Sequence, residues 1–212
     1  MRELSASAAV ISARLRDELL SGALRPGDRL KEEELAERFR VGRYTVRSAL
    51  RTLVDARLLE HETNRGVEVP HLHAARVDEL YEYRTVLEVG CLQVAQAHGV
   101  SLASIEETTA ALVALPADAA WPDVIGRHQD IHRAIVRSSG NARLITGYEL
   151  CEEELQFVIA TTRPEYTASR LAALHVTLLD ELRAGGAGAV AALTRDIEVG
   201  RCAVHDAMAN AD

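Results

Sequence analysis

The sequence predicts a mainly α-helical protein in two parts. An N-terminal winged helix-turn-helix, three helices plus a β-hairpin wing, is followed by a C-terminal all-α helical bundle. Three observations predict this. Val46, Ala49, Leu50, Leu53 and Val54 recur at i, i+3, i+4, i+7 and i+8 and form one apolar helix face, while Arg43, Arg47 and Arg51 line another. Just upstream, Leu35-Ala36-Glu37-Arg38-Phe39 reads as a short helix and Arg40-Val41-Gly42 as a tight connection. From Ala74 onward the periodicity is helical throughout.

Taken in order, the first helix spans Ser5 to Leu20, with Val10, Ile11, Leu15 and Leu19 on one face. Ser21-Gly22 stops it, and Arg25-Pro26-Gly27-Asp28 is a Pro-Gly turn. Helices over 31–39 and 43–56 form the helix-turn-helix. The extended runs Leu58–Glu62 and Val67–Val69 flank Thr63-Asn64-Arg65-Gly66, a composition that suits a hairpin tip. Pro70 ends the last strand, so the domains are expected at 1–70 and 76–212, with 71–75 as linker. The second part reads as helices to about Ala97, over Leu102–Leu115, 123–138, Arg143–Thr161, Tyr166–Ala184 and Ala189–Ala209. Residues 116–122, with the only Trp, form a loop, and Gly185-Gly186-Ala187-Gly188 is a break.

Composition limits the function classes. The 212 residues suffice for one or two cores, and an aromatic content of 4% favours helices packed through Leu, Val and Ala. The net charge of −8 is unevenly spread: residues 1–70 hold 13 Lys and Arg against 12 Asp and Glu, whereas 71–212 hold 11 against 20. A nucleic-acid-binding half needs its cations on one surface, not an overall excess. Cys91, Cys151 and Cys202 are odd in number and far apart, which disfavours disulfides and thiolate metal sites. No apolar run approaches the ~20 residues that cross a bilayer, so the chain reads as soluble and cytoplasmic.

An arginine stripe alone is equally what a solvated helix face would show; its neighbours make it specific. The segments Ser21-Gly22-x-Leu24-x-Pro26-Gly27-Asp28-x-Leu30, Glu34-Leu35-Ala36, Val41-x-Arg43-x-x-Val46-Arg47-x-Ala49-Leu50-x-x-Leu53 and Arg65-Gly66 carry a resemblance. Over residues 8–70 the chain resembles the DNA-binding domain of the GntR family of bacterial transcription regulators. The resemblance implies that Arg43, Thr45 and Arg47 enter the major groove and that Arg65 and Gly66 reach the minor groove from the wing. Arginine chemistry agrees, since a guanidinium reads guanine or holds a phosphate. Glu33 stands where some relatives place a basic DNA contact, and Gly42 stands where Ser or Thr is usual, so both depart from the family pattern.

The second part carries Glu79-Leu80-Tyr81-x-x-Arg84-x-x-Leu87-Glu88, His132-Arg133-Ala134-Ile135 with Ser139-Gly140-Asn141, His175 before Leu178-Leu179-x-x-Leu182, and Ala189-x-x-x-Leu193-x-x-Asp196-Ile197. Over 76–205 it resembles the FCD effector domain of the FadR subfamily. Many members hold a divalent metal through one Asp and three His. Here the resemblance implies His128, His132, His175 and Asp196, with the carboxylate moved to the other end of the set and Glu198 as a substitute for Asp196. Three imidazoles and a carboxylate suit zinc, nickel or manganese. His61, His71, His73, His98 and His205 read as surface or hydrogen-bonded residues, and Asn141 as a helix N-cap. Arg84 on an inward face has two readings, an anchor for an effector carboxylate or a structural salt bridge with a helix acid.

These features together imply a dimeric, ligand-responsive transcription regulator, a repressor, that binds a palindromic DNA operator and answers to a small carboxylic acid. The other readings are a metal-dependent hydrolase built on the His cluster and a regulator that senses the metal itself. Against the hydrolase, the sequence has no nucleophile motif, no dedicated general base beside the cluster and no phosphate loop.

Overall fold

A computed structural model describes residues 6–62, 66–160 and 167–210. The chain divides into two compact units, Met1–Leu72 and His73–Asp212.

In the first unit, helix α1 (Ala8–Leu20) starts where the Ser7 hydroxyl accepts from the Val10 N–H. It buries Ile11, Leu15 and Leu19, which are four apart, whereas Val10 is 57% exposed. The sequence places Val10 on the apolar face with Ile11, but adjacent helix residues diverge by about 100°, and the structure turns Val10 outward. Helix α2 (Glu32–Phe39) ends at Arg40, whose φ of 53° turns the chain sharply into α3 (Arg43–Asp55). Helix α3 packs on α1 and α2 through Val46, Ala49, Leu50 and Leu53.

The wing is a three-stranded antiparallel sheet, order β1-β3-β2, made of β1 (Arg29–Leu30), β2 (Glu60–Glu62) and β3 (Gly66–Glu68). The sequence indicated the β2–β3 hairpin but not β1, because two residues are too few to show alternation. Leu30 faces Val67 in register, and both are buried. The turn before β1 needs Gly27: its φ is +86°, its N–H donates to the Val69 carbonyl, and a Cβ there would meet the His71 ring at 3.0 Å.

The second unit is a bundle of α4 (Ala74–Ala97), α5 (Ala103–Val113), α6 (Trp121–Ser138), α7 (Ala142–Ala160), α8 (Ala168–Ala184) and α9 (Gly186–Ala209). Helix α4 begins at Ala74, inside the segment read as linker. Trp121, placed in a loop by the sequence, is the first residue of α6, buried, with its indole N–H donating to the Ala160 carbonyl. The glycine break is also shorter than expected. The turn lies at Gly185, with φ 70°, and α9 starts at the next residue. The expected helix ends at Thr161 and Tyr166 lie outside the described residues. The Asn141 side chain accepts from the Arg143 and Leu144 N–H groups and so caps α7.

Helix α6 is the centre of the bundle, packed against α4, α5, α7 and α8. It therefore buries residues around most of its circumference, including Val124, Ile125, Ile131 and Ile135. Among the described residues no helix is long and apolar enough to cross a membrane.

Ile135 is fully enclosed in this core. Ile135→Ala is expected to destabilise the second unit by about 2–5 kcal/mol. Denaturant titration followed through Trp121 fluorescence checks this.

Candidate functional site

On α6, His128 and His132 are one turn apart, so both imidazoles leave the same face. Helix α8 supplies His175, and α9 supplies Asp196. The three His side chains are buried. Their ligand atoms lie within 4.8 Å of one another. His132 Nε2 is 3.2 Å from His128 Nε2 and 3.4 Å from His175 Nε2. Asp196 Oδ2 is 3.7 Å from His132 Nε2 and 4.0 Å from His175 Nε2. Asp196 thus stands beside the His cluster, while Glu198 pairs with Arg201 at 2.6 Å instead.

Hydrogen bonds fix the tautomers of two of these rings. His132 Nδ1 lies 2.8 Å from Glu88 Oε2, and a carboxylate only accepts, so that nitrogen carries the proton. His175 Nδ1 lies 2.8 Å from the Leu171 carbonyl, which also only accepts. In the neutral rings both Nε2 atoms then present lone pairs to each other at 3.4 Å. Two acceptors cannot bond directly, so this geometry calls for a proton or a cation between them. Metal–nitrogen bonds of about 2.0–2.1 Å place tetrahedral ligand atoms about 3.3 Å apart, which the spacing resembles.

Electrostatics favour neutral rings at two positions. Burial pushes the His128 imidazole well below its ordinary pKa, and the neighbouring His132 and His175 add to this. Burial also lowers His175, against the opposing pull of Asp196. Neutral imidazole is the form that ligates metals. His128 Nδ1 is buried without a partner among the described residues.

Arg84 and Glu88 lie one turn apart on α4, both buried. Arg84 Nε donates to Glu88 Oε1 at 2.7 Å, so the structural salt bridge foreseen for Arg84 is present. Burial alone would raise the Glu88 pKa, yet the Arg84 guanidinium and the His132 ring bring it down to about 2. Arg84 Nη2 is buried without a hydrogen-bond partner among the described residues. Arg84 lines a pocket together with Tyr81, His128, His175, Asp196 and Leu171, whose enclosed space is about 30 Å³. Arg84, two His of the cluster and Asp196 therefore line one cavity. The role of Glu88 was not legible in the sequence, where it was only one of several residues on the α4 face.

In the first unit, Arg43 and Arg47 are exposed on α3 and Thr45 is half-buried beside them. Arg47 donates from Nε and Nη2 to Glu32 at 3.0 and 2.8 Å, and Arg43 pairs with Glu33 at 3.0 Å. The Arg47 contact holds the Glu32 carboxyl below its ordinary range. Two of the five guanidinium N–H groups of Arg47 are engaged there. Tyr44, 85% exposed on the same helix, was missed by the sequence reading. Its signal was a large ring off the apolar face. In the wing, Gly66 has φ +93°, a conformation that itself requires glycine. Arg65 lies outside the described residues.

Known proteins share both units. The family of bacterial regulatory proteins, gntR family, matches residues 7–69, and the FCD domain matches 79–198. The chain is 27% identical over 176 residues to the HTH-type transcriptional regulator YdhC of Bacillus subtilis, covering 80% of this chain and 77% of that one. To the Nta operon transcriptional regulator of Aminobacter aminovorans it is 37% identical over 71 residues, only 34% of either chain. A crystal structure of a GntR-type transcriptional regulator from Rhodococcus sp. RHA1 matches with a TM-score of 0.78 at 26% identity, covering 94% of this chain and 97% of that one. The E. coli McbR/YncC structure, at 21% identity and TM-score 0.74 over 96% and 99% of the two chains, shares the fold. Members of this family are transcription regulators and not enzymes, which removes the hydrolase reading. The chain belongs to the GntR family of DNA-binding transcription regulators, with a winged helix-turn-helix followed by an FCD domain.

Proposed function

We propose that this regulator is a homodimeric, cytoplasmic repressor of the FadR type that releases or rearranges on DNA when a small organic acid enters the FCD pocket. One observation carries the reading: His128, His175, the Asp196 carboxylate and Arg84, whose Nη2 has no hydrogen-bond partner among the described residues, line one cavity. His128, His132, His175 and Asp196 would hold a divalent zinc, nickel or manganese ion. Such an ion supplies a Lewis-acid centre for an effector oxygen. Arg84 supplies a second, directional contact, since a guanidinium edge matches a carboxylate. The pairing of Arg84 with the His cluster favours an acid effector over the ion alone as the signal.

Arg43, Thr45 and Arg47 carry the contacts to the major groove, and Arg65 and Gly66 those from the wing. A two-fold dimer reads a palindromic operator with half-sites matched to its symmetry. The acid acts by population shift: it changes DNA affinity only to the extent that it binds one arrangement of the dimer better than another.

Two outcomes are expected. A duplex from the regulator's own promoter region binds sequence-selectively and with strong salt dependence, and Arg47→Ala weakens it at least about tenfold while the fold is kept. Fluorescence anisotropy with circular dichroism checks this, and binding indifferent to sequence overturns the DNA reading. Elemental analysis of purified protein finds about one equivalent of divalent metal per chain, lost in His132→Ala. Protein without metal, and unable to take it up from added salts, overturns the metal reading.

A further inference from the structure

Glu88 is wholly buried, and its two oxygens face in different directions. Oε1 accepts from Arg84 Nε at 2.7 Å, and Oε2 accepts from His132 Nδ1 at 2.8 Å. One carboxylate therefore links the residue on the pocket wall to the ring at the middle of the His cluster. His132 Nε2 lies 3.2 Å from His128 Nε2, 3.4 Å from His175 Nε2 and 3.7 Å from Asp196 Oδ2, so its lone pair is the one on which the cluster depends.

We infer that Glu88 is the positioning residue of the pocket: it fixes His132 in the Nδ1–H tautomer with its Nε2 lone pair turned to the metal, and it holds Arg84 by Nε so that Nη2 is left for the effector acid. The inference rests on the metal reading above. Its physical basis is the acceptor-only character of a carboxylate. Glu88 demands a donor on each side and receives one from each partner. It also makes the imidazole a better ligand, as an outer carboxylate does for a metal-bound His.

Glutamine is the discriminating substitution because it keeps the shape and replaces one acceptor by an NH₂ donor. If the NH₂ faces His132, Nδ1 must accept, and the proton moves to Nε2, which removes the ligand lone pair. If it faces Arg84, two donors oppose each other in a buried site.

The test measures cobalt(II) binding to the full chain by competition with a chelating indicator and by visible absorption. Glu88→Gln is expected to bind cobalt about 10–100-fold more weakly than wild type, with an altered spectrum. Glu154→Gln serves as the comparison, since Glu154 is also a buried acid and pairs with Arg76 at 2.8 Å. It is expected to lower the unfolding temperature and leave cobalt affinity unchanged. Equal cobalt affinity in wild type and Glu88→Gln overturns this inference alone, whereas a wild type that takes up no cobalt overturns the metal reading and this inference together. Should Glu88→Gln fail to fold, nitrogen-15 shifts of His132 in the metal-free wild type decide. The Nδ1–H tautomer is expected, and the Nε2–H tautomer overturns the inference.

Discussion

The buried chain Arg84–Glu88–His132 is the constraint around which the helical unit is arranged. An ionised carboxylate and a guanidinium in a core of Leu, Val and Ile cost several kcal/mol each unless they are paired and hydrogen-bonded. Helix α4 meets part of that demand locally, because Arg84 and Glu88 stand one turn apart. The rest must come from another element, and α6 supplies it through His132. Helix α6 must then sit against α4 at one rotation only. That rotation points His128 toward α8 and α9, where His175 and Asp196 complete the cluster. Apolar packing by Ile131 and Ile135 stabilises many helix rotations nearly equally; the polar chain selects one.

The first unit obeys a different economy. Its core is small and apolar, and its charges are outside, where single ion pairs add little stability. The contacts of Glu32 with Arg47 and of Glu33 with Arg43 therefore matter for geometry more than for folding. A long arginine side chain free in solvent loses rotamer entropy when it binds. One already held by a carboxylate on α2 has lost part of it in advance. The acidic residues that make this unit nearly neutral thus need not oppose DNA binding. They sit beside the arginines and orient them, so overall charge is a poor guide to what the surface binds.

Much of this was legible in the sequence, and the limits have physical causes. The helix periods of α3 and α4 are long enough to show which side faces inward, so Arg84 could be placed on an inward face, while the four-residue spacing put His128 and His132 on one side of α6. The position of Asp196 followed from a likeness to other chains, since a helix period says nothing about which separate helices meet. Short or locally ambiguous features were lost: β1 is two residues long, Trp121 begins a helix that Pro122 also allows, and Gly186 to Gly188 enter α9 although glycine usually breaks helices. Glu88 was missed for a further reason. A Glu on a helix is ordinary in sequence, and it becomes informative only when an imidazole from another helix is found 2.8 Å away.

The charge inventory of the pocket shows why moving the carboxylate from α6 to α9 need not change its chemistry. A divalent ion among neutral imidazoles would bring two positive charges and Arg84 a third, while Glu88 and Asp196 carry one negative charge each. One positive charge is left in a largely apolar surrounding, where an uncompensated charge is costly. A carboxylate entering the pocket would supply the missing negative charge and, for Arg84 Nη2, an acceptor that this donor lacks among the described residues. A neutral ligand of the same size would satisfy the shape and leave the charge standing. With the proposed ion bound, a preference for an acid would follow from the sum of groups around the cavity, whichever helix provides the carboxylate.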